Sequence, residues 1–228
     1  METTLHQQLK LHYAGEAAQT EVQLGRYRID AVRGDELIEV QCASLSAIRD
    51  KCQNLLKRHQ LRVVKPVIIR TRINRLTSEN GKTKSRRLSP KRGSAIDLFD
   101  ELIYFTRVFP HPNLTIEVPL IHVEQIRVPS RKKRRRFWHK DYRVKDVIWE
   151  STEATLELNI AADLLSLLPS SEKVGQADPS GCFNTAELAK TIGQSRQSAQ
   201  QIAYVLRKTG AIDQHSRDRT GIIYRRAA

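Results

Sequence analysis

Two short segments, Arg28-Ile29-Asp30-Ala31-Val32 and Leu37-Ile38-Glu39-Val40-Gln41, alternate polar and apolar residues. The tetrad Arg33-Gly34-Asp35-Glu36 that joins them has turn composition. A period of two is the pattern of a strand with unlike faces, so the pair predicts a β-hairpin. Ile29, Ala31, Ile38 and Val40 then face a core. Asp30, Glu39 and Gln41 stand together on the opposite face.

The surrounding pattern extends this hairpin into an α+β fold. Residues 3–13 predict a helix with Leu5, Leu9 and Tyr13 on one side. Residues 21–32 alternate as a strand broken by Gly25. Residues 46–59 place Ile48, Cys52, Leu55 and Leu56 at helical spacing, and 61–69 form an apolar strand of the kind buried on both faces. A helical crossover from Gln41 to Leu61 sets that strand parallel to the one before it. Residues 70–92 predict an extended arm turning at Glu79-Asn80-Gly81-Lys82. A helix follows over 94–107, then a strand over 114–128 whose inward parity switches at Pro119, and a partner strand over 142–150. A domain of this mixed kind is expected over 1–150 and a second over 151–228.

The chain is strongly basic, with 39 Lys and Arg against 25 Asp and Glu, a net charge of +14. The excess is local: residues 1–69 carry +2, 70–149 carry +12 and 150–228 carry none. Two stretches without acids account for +13 of it. One is 82–92, with Lys82, Lys84, Arg86, Arg87, Lys91 and Arg92. The other is 131–140, with Arg131, Lys132, Lys133, Arg134, Arg135, Arg136 and Lys140. Such stretches are expected to contact phosphates, each contact adding salt-dependent affinity. Phe137 and Trp138 either stack on an unpaired base or begin the next strand.

Other classes are disfavoured. No apolar run approaches a membrane helix, the N-terminus lacks a signal-peptide pattern, and Cys42, Cys52 and Cys182 form no CxxC pair. A cytoplasmic protein with no membrane partner is expected. There is no P-loop, no nucleophile elbow and no HxxxH spacing.

At the C-terminus, a helix over 160–168 ends at Pro169. Asn184 with Glu187 forms a capping box, a short turn Thr191–Ser195 separates two helices, and a basic hairpin closes the chain. Helix, turn, helix and hairpin over Phe183–Arg226 resemble a winged-helix domain. The resemblance implies that the helix over 195–208 enters a major groove, with Arg196, Gln197, Gln200, Gln201 and Tyr204 outward, while Arg217 and Arg219 reach phosphate or minor groove. Gln and Arg are suitable types, since they make bidentate contacts with adenine and guanine edges. This segment's zero net charge weighs against that role.

The N-terminal order of helix, strand with Asp30, strand with Glu39-x-Gln41, helix and strand over 3–69 resembles the PD-(D/E)XK nuclease superfamily, a restriction-endonuclease-like α/β core with a mixed sheet. Over its whole length the chain resembles bacterial proteins joining such a core to a winged helix. The resemblance implies that Asp30 and Glu39 hold Mg²⁺, with Glu21 or Glu16 as an additional acid. Two carboxylates on neighbouring strands are suited to that ion. Gln41 stands where the superfamily has Lys; it orients a water but supplies no positive charge, which Lys51 or Lys65 would bring from another element. The implied activity is Mg²⁺-dependent hydrolysis of double-stranded or branched DNA. The alternatives are a nuclease fold that only grips DNA within a transcriptional or defence complex, and an RNA-binding accessory protein. Many members of the superfamily act as dimers, which leaves a homodimer open.

Overall fold

The computed structural model describes residues 3–15, 19–130, 141–176, 178–219 and 221–227. Along the chain run α1 (Thr4–Ala14), β1 (Gln19–Leu24), β2 (Tyr27–Arg33), β3 (Glu36–Val40), and a 3₁₀ turn leading into α2 (Arg49–Leu55). Then come β4 (Gln60–Val64), β5 (Val67–Leu76), β6 (Thr83–Leu88), a second 3₁₀ turn into α3 (Phe99–Leu102), β7 (Leu114–Pro129) and β8 (Tyr142–Leu158). The C-terminal elements are 3₁₀ turns at Ala161–Leu167 and Ser171–Lys173, β9 (Phe183–Asn184), α4 (Thr185–Ile192), α5 (Arg196–Thr209), β10 (Ile212–Asp218) and β11 (Gly221–Arg226). The fold is α+β, with a mixed sheet in the order β1-β2-β3-β4-β7-β5-β6 and β8 on β7.

Contacts gather the chain into two units. The first comprises Met1–Cys42, Val64–Ser94 and Val118–Leu156. Its apolar pattern explains its core: Leu5, Leu9, Tyr13 and Ala14 recur along one side of α1 and pack with Ala31, Ile38, Val40, Val64, Ile121 and Val123. Each fully buried Leu or Ile there stabilises the fold by roughly 1.5–3 kcal/mol. Polar bonds set the helix on this surface. Thr4 donates from its N–H (3.0 Å) and its hydroxyl to the Asp146 carboxylate, and the Trp149 N–H donates to Gln8 (2.8 Å).

Two stretches that read as single strands are each two. The alternation over 21–32 folds back on itself, Leu24 pairing with Tyr27, because Gly25 takes the left-handed φ of +58° that a tight reversal needs. The apolar run 61–69 divides at Lys65-Pro66, where proline supplies no ladder donor. β6 is the expected basic arm: it pairs antiparallel with β5 and ends the sheet order. β5 and β7 are parallel, from Val67↔Leu120 to Arg75↔Arg127. Burial along β7 switches parity at Pro119, from Ile116 and Val118 to Ile121 and Val123.

The second unit comprises Ala43–Val63, Ala95–Glu117 and Glu157–Ala228. Its C-terminal elements follow their capping signals. Asn184 accepts from the N–H groups of Ala186 and Glu187, while the Glu187 carboxylate accepts from the Asn184 N–H (2.9 Å), and α4 ends at left-handed Gly193. Ser195 caps α5, which buries Ala199, Ile202, Ala203, Val205 and Leu206. β10, β11 and β9 form a three-stranded antiparallel sheet. The segment before Pro169 is a 3₁₀ helix rather than an α-helix.

Candidate functional site

Both ladders flanking β2 are interrupted at Asp30. Between β1 and β2 the pairs Thr20↔Ala31 and Val22↔Ile29 form, but Glu21, which lies opposite Asp30, does not pair and has a left-handed φ of +59°. Between β2 and β3 pairing stops at Ala31↔Ile38, and the Val40 N–H donates to the Asp30 carboxylate instead (2.8 Å). A non-glycine residue held at positive φ costs of order 1–3 kcal/mol and persists only where its surroundings hold it.

What surrounds it is charge. Lys10, from α1, pairs with Glu21 and lies 3.9 Å from Asp30. Arg28 pairs with the other oxygen of Glu21. His6, one turn before Lys10, donates from Nε2 to the Val40 carbonyl (2.8 Å) and lies 3.6 Å from Asp30. Burial alone raises the Asp30 pKa, but the hydrogen bonds from His6 and Val40 and the charges of His6 and Lys10 outweigh it. The net shift is downward, so the carboxylate is ionised at neutral pH.

Among the described residues the buried charged side chains are Lys10, Glu39 and Lys65, at 8%, 8% and 6% exposure. Lys10 lies in this cluster, and the other two stand at backbone positions close in the sheet. Lys10 meets Asp30, and Glu39 follows the last β2–β3 pair and precedes Val40. Lys65 follows Val64, whose carbonyl accepts from the Gln41 N–H (2.8 Å). Buried charge is costly unless paired, and its concentration at one place marks a candidate site.

Asp30, Glu39, Gln41 and Lys65 thus occupy neighbouring backbone positions of the first unit. Lys51 lies on α2 in the second unit. The open polar face expected of the hairpin is different in fact, since Leu37, Ile38, Glu39 and Val40 are all buried. His6 and Lys10 escaped the sequence reading. Their signal was there: both border the Leu5–Leu9–Tyr13 stripe of α1, four residues apart, where polar side chains reach past an apolar contact onto its neighbour. Glu16 lies outside the described residues. Among the described residues no three His, Cys, Asp or Glu side chains gather as a metal site. Asp30 and Glu39, the two carboxylates that the sequence offers for Mg²⁺, stand on the adjacent strands β2 and β3. Two hard carboxylates, with water or phosphate completing the shell, suit that ion in type.

The basic stretch 82–92 runs through β6 with residues on either side of it, and Lys82, Lys84, Arg86, Arg87, Lys91 and Arg92 are all exposed. Arg86 is bonded to Glu124 (2.7 Å) and lies 3.8 Å from Glu150. The residues of the other stretch, Arg131, Lys132, Lys133, Arg134, Arg135, Arg136, Phe137 and Trp138, lie outside the described residues. In the second unit, Arg196, Gln197, Gln200 and Tyr204 form one exposed stripe of α5, continued by Lys208, whose ammonium lies 6.0 Å from the Tyr204 ring centroid. Arg217 and Arg219 are exposed at the hairpin. Gln201 is not outward: its amide donates to Asp100 (3.1 Å).

Comparison with known proteins gives two matches. A family model described as a domain of unknown function (DUF8091) matches residues 3–159. A protein of Treponema pallidum (strain Nichols), described as uncharacterized, is 34% identical over 173 residues, which cover 74% of this chain and 68% of that protein. No solved structure matches.

Proposed function

From the premise that the chain belongs to the DUF8091 family, whose matched segment closes one residue after β8, we propose a nucleic-acid-binding protein that hydrolyses phosphodiester bonds at the Asp30 cluster with Mg²⁺. The observation that carries this reading is the break of both β2 ladders at Asp30, where buried Lys10 meets Asp30 and a strained Glu21. The family segment holds that cluster and both basic stretches, while the elements from Ala161 onward lie beyond it.

Asp30 and Glu39 would hold the ion, which supplies charge neutralisation at a phosphate and a more acidic attacking water. Lys10 offers the positive charge that Gln41 lacks, from α1 rather than from the strand. Glu21 keeps that ammonium in place, and the Val40 carbonyl fixes His6 with its proton on Nε2. Gln41, a neutral donor and acceptor, orients water. Exposed β6 supplies backbone contacts.

Supercoiled plasmid incubated with the full chain and Mg²⁺ tests this. Nicking is expected, and Asp30→Ala and Glu39→Ala should each reduce it at least about 100-fold. Cleavage that survives both substitutions sinks the site.

A second reading, a nuclease-like core that grips DNA without cutting, is favoured by one observation. Lys10, His6 and the Val40 N–H already compensate the Asp30 carboxylate, an arrangement that stands without an ion. Salt-sensitive binding with no cleavage under any divalent metal supports it. In both readings the C-terminal elements act as a winged helix. The order β9, α4, α5, β10, β11 with β11 central supports that assignment, and α5 presents Arg196, Gln197 and Gln200.

A further inference from the structure

The two acid-free basic stretches are separated in sequence by residues 93–130, yet the first unit joins their roots. Ser130 donates from its N–H to the Asp141 carbonyl (3.0 Å), the described residues on either side of the 131–140 stretch. From the start of β8, Arg143 pairs with Glu79. Lys145 donates to the Glu79 carbonyl (2.7 Å) and to Asn80 (3.3 Å), in the turn that leads into the other stretch.

A cavity of about 200 Å³ opens at this junction, lined by Arg75, Lys84, Val128, Pro129, Asp141 and Tyr142 among others. It lies at the carboxyl ends of β5 and β7, which are parallel neighbours, and ligand clefts of open sheets form at such strand ends. A register shift in the β5–β6 ladder, where Arg75 pairs with Ser85 but Leu76 with Thr83, leaves Lys84 as the extra residue. A bulge of this kind re-aims a side chain, and Lys84 lines the cavity. The Arg127 guanidinium lies 4.0 Å from the Tyr142 ring centroid and that of Arg75 lies 5.9 Å from it, while Arg75 also bonds Asp141 (2.5 Å). Two cations, Arg75 and Lys84, line the cavity with the Tyr142 ring against one carboxylate, Asp141, and Arg127 lies against that ring, which makes a site for an anion with a flat, polarisable part.

We propose that this cavity seats a single strand of nucleic acid, with a phosphate on Lys84 and Arg75 and an unpaired base against the Tyr142–Arg127 pair. Stacking platforms beside basic grooves are how unpaired strands are held. The proposal rests on the nucleic-acid reading above but not on cleavage.

The test is fluorescence anisotropy in EDTA, using the full chain with a labelled single-stranded DNA of about 20 nucleotides and with the same sequence as duplex. Lys84→Glu should weaken single-strand binding about tenfold and lower the salt slope by about 0.7, the share of one phosphate. Lys57→Glu, the same charge change at an exposed residue of the second unit, should do neither. Tyr142→Leu should weaken the single strand about tenfold and the duplex far less, while Tyr142→Phe keeps both. Equal effects of Lys84→Glu and Lys57→Glu, or equal loss of single strand and duplex with Tyr142→Leu, overturn the cavity and leave the nucleic-acid reading standing. A wild-type chain that binds neither probe at low salt overturns both.

Discussion

The cluster around Asp30 and the exposed stripe of α5 are both built from polar side chains, under opposite conditions. On α5, Arg196, Gln197, Gln200 and Tyr204 project from a regular helix capped at both ends, and the backbone is indifferent to them. Around Asp30, Lys10 is buried, Glu21 is strained and two ladders are broken, so each side chain is held by the others. The first region ties its polar side chains to stability; the second does not. Polar residues on a regular element can be exchanged for recognition at little cost, whereas those that replace backbone pairing cannot.

The largest expected difference follows from this. Lys10→Ala leaves Glu21 and Asp30 facing one another without their shared cation and should destabilise the protein by about 3 kcal/mol in urea denaturation. Arg196→Ala should stay within about 0.5 kcal/mol of wild type. Equal losses would break the comparison.

The strain at Glu21 gives a sharper, smaller test. Glu21→Gln removes the charge and keeps the strain of a left-handed side-chain-bearing residue; Glu21→Gly removes both the charge and the strain. The glycine variant should be more stable than the glutamine variant by about 1 kcal/mol, measured as the difference in denaturation midpoint at constant slope. If the glutamine variant is the more stable, the backbone at residue 21 is not under strain.

On the C-terminal side, losing a cap is the counterpart of losing a partner. Asn184→Ala should cost about 1 kcal/mol, because two N–H groups of α4 lose their acceptor. The expected loss is smaller than for Lys10→Ala, since water can replace the acceptor at an exposed helix end.

The smallest effect is in acid. Burial raises the Asp30 and Asp146 pKa values, but hydrogen bonds outweigh it: those of His6 and Val40 on Asp30, and those of Thr4 and Val147 on Asp146. Both groups end below the ordinary 3.8. A carboxyl with a lowered folded-state pKa contributes stability above its unfolded value and loses it as pH falls through the folded one. Stability should therefore decline below about pH 4. Asp30→Asn and Asp146→Asn should each flatten that decline, and Asp178→Asn, an exposed group with its own bonds to Ser180, offers the surface comparison.

Most of the fold was legible where side chains alone report it. The Leu5–Leu9–Tyr13 stripe, the β2–β3 hairpin, the Asn184–Glu187 capping box and the parity switch at Pro119 all follow from local spacing. The hidden parts are backbone decisions. Alternation over 21–32 is the same whether Gly25 interrupts a strand or reverses it, and nothing in the letters around Glu21 announces a left-handed φ. Of the candidate residues, the hairpin pattern puts Asp30, Glu39 and Gln41 on or next to neighbouring strands, as β2 and β3 have them, while nothing in the letters chose between Lys65 and Lys51. Lys10 and His6 were not readable, because a helix that closes over a sheet brings its border residues to partners that spacing does not reveal.

The hydrogen bonds of Thr4 with Asp146 and of Trp149 with Gln8 close loops of more than 140 residues. Closing loops of that length is entropically costly and slow. The helix that delivers His6 and Lys10 to Asp30 is therefore anchored at both ends of the matched segment: to β2 and β3 close by in the chain, and to β8 more than 140 residues away.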